Sequence, residues 1–272
     1  NAMNAAAKAK WGCPAYSSGG ISASREDYFF YPVLLGIDRA VDWLAARDDI
    51  DRCRFWYSGT SQGGGLGLCL AGLNGKFTRL ALFVPAITDT MGYCRGRQGG
   101  WPRIDELFAS RPELRENVER NAPYFDGANF ATRIRCPVRV AVGFADTTCA
   151  PCAVYAAFNA IPVADKKIVP GFDMTHSCFG SLYRELGAWL RSGETGTDSD
   201  VSSFPIGVFD SGVGGLTVLE KLLSVDVVDN ATGACVPDGL PDLQGEKFIQ
   251  LADQANLHYG SYAAAGSAAV VA

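Results

Sequence analysis

Ser61 lies in the stretch YSGTSQGGGLG (57–67), where Gly59 to Gly63 spell G-x-S-x-G. That spacing suits a serine nucleophile on a sharp strand-to-helix turn. Such a turn holds the serine in a strained backbone conformation, and side chains two residues to either side are expected to collide. Gln62 follows, so its backbone N–H stands at the start of a helix, where a developing oxyanion is stabilised. A serine also needs a base and a group to orient that base. In elbows of this kind the chain order is Ser, then Asp or Glu, then His. The chain holds two histidines, and His176, in GFDMTHSC, falls just past the strand-like KKIVPG. Asp146, in VGFADTTC, ends a strongly apolar strand, where the orienting acid belongs. Asp173 is a rival, but three residues from His176 its expected part is to shape the loop.

Other chemistry fits these residues less well. A phosphate-binding P-loop needs Gly, four residues, then Gly-Lys-Ser/Thr; GLNGKFT supplies Gly75 and Lys76, but Leu70 and Phe77 break the pattern. The dinucleotide fingerprint G-x-G-x-x-G fails too, because Gly65 and Gly67 are followed by Leu70. Cys149 and Cys152 form a C-x-x-C that His176 and Cys178 would bring to a zinc complement of four. Zinc there would occupy the general base and leave the elbow without a purpose. A C-x-x-C redox pair would follow the wrong strand for a thioredoxin-like site. No metal and no cofactor is therefore expected.

The elements that must position the site read as an α/β protein. YPVLLGIDRAVDWLAAR (31–47) places Val33, Ile37, Val41 and Leu44 about one helical turn apart. RCRFWYSG (52–59) reads as a short strand, 63–74 as a helix and TRLALFVPA (78–86) as a buried strand. Residues 87–133 are irregular, with short polar helices, and are expected as an insertion over a sheet edge. A strand over 136–146, a helix near 152–160, a strand at KKIVPG and a helix over SLYRELGAWLRSG follow. Such alternation implies a mostly parallel sheet covered on both faces. Residues 1–27 are rich in Ala, Gly and Ser without a clear period.

SGETGTDSDVSS (192–203) has the polar, flexible composition of a linker. The domains expected are a core over 1–191, this linker, and a smaller segment over 204–272. The chain has 272 residues, 48% hydrophobic and 19% charged, as an ordered globular protein does. A net charge of −5 leaves no basic stripe for a nucleic-acid backbone. No apolar run reaches the length of a membrane span, so neither nucleic acid nor membrane is an expected partner. Without a recognisable leader, a cytoplasmic location is expected. The nine cysteines are an odd number, mostly in apolar contexts, and read as reduced buried thiols.

SREDYFFYPVLLGIDRAVDWLAAR, GTSQGGGLGL, GWPR, VGFADTTCAP, VYAAFNAI and MTHS together resemble the acetyl xylan esterase / cephalosporin C deacetylase family of carbohydrate esterases, over about residues 4–193. The resemblance implies an α/β-hydrolase fold, removal of acetyl groups from acylated sugars, and a homo-oligomer, often a ring-shaped hexamer. Ser61 would be nucleophile, His176 base, Asp146 its orienter and Gln62 an oxyanion donor. The loop matching Cys149 binds no metal in such relatives. Only sixty residues precede Ser61, so the N-terminal strands of the hydrolase sheet, and with them the second oxyanion donor, are expected to be missing.

PIGVFDSGVGGLTVLEKL and FIQLADQANLHYG are similar to the opening of the aspartate/glutamate racemase family, over about residues 204–262. That likeness implies active-site roles for Asp210 and Ser211, with Tyr259 and Gly260 contacting substrate. The family's two acid/base cysteines find no match, since Cys235 lies in TGACVPDG, and no racemase activity is expected. The expectation is thus a serine esterase acting on acetylated carbohydrate or a small acetyl ester. The alternatives are a non-catalytic interaction module and a Cys/His metal or thiol site.

Overall fold

The computed structural model describes residues 2–13 and 15–192, together with 206–210, 223, 224, 226, 237–241 and 248–252. Contacts divide the chain into two compact units, 1–46 with 52–195, and 47–51 with 196–272. The first opens with helix α1 (Ala2–Trp11). Its run of alanines and lysines supplies helix propensity without a hydrophobic period, which is why periodicity alone does not reveal it. Helix α2 (Phe30–Ala45) buries Val33, Leu34, Ile37 and Val41, a stripe at spacings of three and four.

A four-stranded, fully parallel sheet carries the site. Its strands are β1 (Trp56–Thr60), β2 (Arg79–Phe83), β3 (Val138–Gly143) and β4 (Lys166–Gly171). They lie in the order β1-β2-β3-β4, with Gly59 opposite Leu82, Leu80 opposite Val138, and Val138 opposite Lys166. β1 is shorter than RCRFWYSG, because Arg52–Arg54 form a 3-10 turn instead. The central strands are apolar on both faces, as parallel strands covered by helices must be. Leu80, Ala81, Leu82, Val138, Val140, Ala141 and Val142 are all buried. β4 is an edge strand and reads like one, with Pro170 and the exposed Lys167 in it.

The two faces follow from alternation along β2. Ala81 and Phe83 pack into a cluster with Leu182, Leu186 and Leu190, the buried i, i+4, i+8 stripe of helix α8 (Gly180–Arg191). Leu82 points the other way, toward helix α3 (Gln62–Leu73): a Cβ on Gly67 would meet its Cδ2 at 3.0 Å and Tyr57 Cε1 at 2.3 Å. Full burial of each leucine of the α8 stripe stabilises the fold by roughly 1.5–3 kcal/mol.

The segment after β2 departs from the expected insertion over a sheet edge. It contains α4 (Ile104–Ser110), α5 (Arg115–Asn121) and α6 (Gly127–Ala131). α6 packs against α3 and against α7 (Pro151–Ala160), so it lies among the helices beside the sheet. Close backbone approach holds it there: Gly127 N donates to Ile87 O at 2.6 Å, and a Cβ on Gly72 would meet Phe130 O at 2.3 Å. The Asp126 carboxylate caps α6 through Ala128 N and also accepts from Asp89 N, Thr90 N and Thr90 Oγ1. In the second unit, β5 (Ile206–Asp210) pairs in parallel with β6 (Phe248–Ala252).

Candidate active site

β1 ends at Thr60, and α3 begins at Gln62. Ser61 alone makes the turn between them, with φ 54° and ψ −118°. This is a conformation that L-residues avoid, costing on the order of 1–3 kcal/mol. Three backbone hydrogen bonds hold it: Ser61 N donates to Phe83 O at 2.8 Å, while Ala86 N and Gly65 N donate to Ser61 O at 2.8 and 3.0 Å. Gly59 is needed sterically, since a Cβ there would lie 2.6 Å from the Gly63 backbone. Gly63 is not: a Cβ on it meets nothing within 4 Å. The most crowded glycine of the helix's first turn is Gly65, whose Cβ would fall 2.1 Å from Ala86 O. The constraint thus comes from the Gly63 backbone at Gly59 and from the chain after β2 at Gly65, and not from symmetry about the serine.

Three loops at the C-terminal ends of β1, β3 and β4 converge on this turn. Ser61 Oγ lies 2.8 Å from His176 Nε2. His176 Nδ1 lies 3.0 Å from Asp146 Oδ2. A carboxylate only accepts, so the proton of the neutral ring sits on Nδ1 and the Nε2 lone pair faces the serine. The Asp146 side chain is wholly buried, whereas His176 keeps 35% exposure. The other carboxylate oxygen, Oδ1, accepts from Thr148 N at 2.8 Å and Cys149 N at 2.9 Å. These bonds fix the carboxylate plane and supply the donors that a buried charge requires. Asp173, the rival acid, is exposed. Gln62 is the first residue of α3, so its N–H is among those that helix geometry leaves without an intrahelical acceptor.

Two neighbours of the site fall outside the elbow and the Ser-Asp-His order. The Tyr16 hydroxyl donates to Gln62 Oε1 at 3.0 Å. The Tyr16 ring packs edge-on against Phe29, with centroids 4.8 Å apart, and lies 6.3 Å from Trp101. Cys149 is buried beside the relay: one donor atom each of Asp146, Cys149 and His176 lie within 4.8 Å of one another. Burial, with the Asp146 charge in support, pushes the Cys149 thiol up to about 12, against a smaller pull from the Ser61 hydroxyl. Cys149 is the first cysteine of the C-x-x-C, so that motif marks the residue but not its place beside the relay.

The four-residue set of Cys149, Cys152, His176 and Cys178 does not assemble among the described residues. Cys152 is exposed and its thiol donates to Gln98 O, while the Cys178 thiol donates to Phe179 O. Asp210 closes β5. Ser211, Tyr259 and Gly260 lie outside the described residues. Among the described residues, no helix is long and apolar enough to cross a membrane.

Residues 6–192 match the family model for acetyl xylan esterase (AXE1). Acetyl esterase Axe7A of Xylanibacter ruminicola is 34% identical over 179 residues, covering 65% of this chain and 39% of that protein. The acetyl xylan esterase of Paenibacillus sp. R4 superposes with a TM-score of 0.61 at 28% identity, covering 66% of this chain and 58% of that one. The chain therefore spans about two fifths and three fifths of these relatives' lengths. A further 63 residues are 41% identical to the glutamate racemase of Roseiflexus sp. (strain RS-1), covering 23% of this chain and 17% of that protein. The neighbouring folds are α/β-hydrolases, in keeping with the parallel sheet and its covering helices. With its family model matched across the whole four-stranded unit, the chain belongs to the acetyl xylan esterase family.

Proposed function

We propose that the chain hydrolyses acetyl esters through an acyl-enzyme on Ser61, with acetylated sugars or xylo-oligosaccharides as substrate class. The continuous hydrogen-bonded relay from Ser61 through His176 to Asp146, anchored on a strained turn, carries this reading. His176 Nε2 takes the hydroxyl proton as Ser61 Oγ attacks the acetyl carbon. The resulting oxyanion meets the Gln62 N–H and the positive end of α3. Collapse breaks the bond to the sugar oxygen, which leaves as the alcohol with the proton from Nε2. Water, deprotonated by His176, then attacks the acetyl-serine, and acetate leaves as the proton returns to Ser61 Oγ. Asp146 keeps Nδ1 protonated and offsets the charge of the imidazolium.

The organisation that goes with this reading is an esterase core over 1–191, a linker over 192–203 and a racemase-like segment over 204–272. Family membership also favours a homo-oligomer, which light scattering of the purified chain would measure.

Hydrolysis of a small activated acetate ester, followed by acetate release from acetylated xylo-oligosaccharide, tests the activity. Wild-type turnover that Ser61→Ala removes supports it. Turnover that survives Ser61→Ala overturns it, and an inert wild-type chain favours the non-catalytic interaction module.

A further inference from the structure

Beside the relay lies a thiol that the proposed chemistry does not use. Cys149 is buried, precedes α7 and offers its Sγ to the same space as the Asp146 carboxylate and the His176 ring. One donor from each lies within 4.8 Å of the other two. Tetrahedral zinc, with bonds of roughly 2.0–2.3 Å, brings its donors to about 3.3–3.8 Å from one another. A contraction of at most about 1–1.5 Å would close the set, and His176, 35% exposed, is the member with room to move. Thiolate, imidazole and carboxylate together are a zinc ligand set, and they discriminate against magnesium and calcium, which prefer oxygen alone.

We propose that Asp146, Cys149 and His176 form an inhibitory site for a thiophilic divalent cation, zinc foremost. Water or Ser61 Oγ, which is 2.8 Å from His176 Nε2, completes the coordination. On binding, the thiol releases its proton to solvent and the sulfur coordinates as thiolate. If the ion takes Nδ1, it replaces the contact with Asp146 Oδ2; if it takes Nε2, it stands where the serine proton must go. Proton transfer stops in both cases. The ion is not a cofactor but a reversible block, held by three residues of which two are the proposed base and its orienter. That the block inhibits rests on the proposed hydrolase reading; that the metal binds does not.

Two measurements on the full chain decide it. In the first, hydrolysis of an activated acetate ester is followed in zinc-buffered solution. Inhibition that EDTA reverses and magnesium fails to reproduce is expected. In Cys149→Ala and Cys149→Ser, each compared with its own zinc-free rate, the half-inhibitory zinc concentration should rise by roughly tenfold or more. Equal zinc sensitivity with and without the thiol overturns the proposal, as does a wild-type enzyme indifferent to zinc. The second needs no turnover: Ser61→Ala protein is titrated with cobalt(II). A thiolate-to-cobalt charge-transfer band that disappears when Cys149→Ala is added supports the site. A band that persists without Cys149, or none with it, overturns the site. An inactive wild-type chain would count against the hydrolase alone, with the cobalt titration still deciding the metal.

Discussion

The hydroxyl of Tyr16 donates to the side-chain oxygen of Gln62 at 3.0 Å, although the two residues are 46 apart in sequence. Gln62 is also the residue whose backbone N–H we propose as the oxyanion donor. A long side chain tied at its tip restrains the first turn of α3, and on that proposal Tyr16 would act as a positioning residue.

Removing that tie tests the relationship. Tyr16→Phe keeps the ring packed against Phe29 and loses one hydrogen bond, worth about 0.5–1.5 kcal/mol. The expected result is a kcat lowered roughly 2- to 10-fold with little change in KM. A purely structural role would instead lower the melting temperature and leave kcat intact.

The relay itself predicts a graded series. Ser61→Ala and His176→Ala should each remove at least roughly 10³-fold of kcat, and the double variant should be little worse than either alone. Asp146→Asn leaves the wrong tautomer facing the serine and should cost a roughly similar 10³–10⁴-fold. Asp146→Ala should in addition destabilise the fold by about 1–3 kcal/mol, because Thr148 N and Cys149 N lose their acceptor. Steady-state kinetics with a denaturant titration separates the two effects.

Two glycines of the elbow make opposite predictions. Gly65→Ala places a methyl 2.1 Å from the Ala86 carbonyl, a backbone atom with no rotamer to yield, and should destabilise by about 1–3 kcal/mol or more. Gly63→Ala enters open space within a helix and should gain about 0.5–1 kcal/mol. Equal midpoints in urea for the two variants would refute this reading of the turn.

Alkaline solution should weaken the fold through its buried thiols. Burial pushes Cys136 and Cys178 up to about 11, and Cys149 to about 12, against about 8.5 for an unfolded thiol. Above that ordinary value the unfolded chain releases thiol protons that the folded chain retains. Stability is therefore unaffected below about pH 8 and falls as pH rises toward 11. Denaturant midpoints between pH 7 and pH 10 (about 1.5 units either side of that ordinary value) should decline, and the decline should shrink in Cys136→Ala.

The elements of the core unit were legible where the chain obeys a local rule. VRVAVG and LALF announce strands because parallel strands buried on both faces need continuous apolar runs. α8 announces itself by Leu182, Leu186 and Leu190 on one stripe. α1 did not, because alanine and lysine make a helix without any period. The placement of 87–133 is not legible in the same way, because its anchors are backbone contacts, Gly127 to Ile87 and Gly72 against Phe130, which no side-chain pattern records. The set of three cysteines and a histidine fails for a like reason: C-x-x-C spacing does not say which way each thiol turns.

By itself, the amino-acid sequence determined the elbow, the parallel α/β class and the candidate acid and base, since these depend on residue type, chain order and short-range period. Only tertiary structure decided that Asp146 rather than Asp173 meets His176, that Gly65 rather than Gly63 carries the steric constraint, and that Cys149 lies beside the relay while Cys152 and Cys178 turn elsewhere. Each of those is a distance between segments far apart in the chain. Such distances are set by how strands register and helices pack, and no local pattern of residues encodes them.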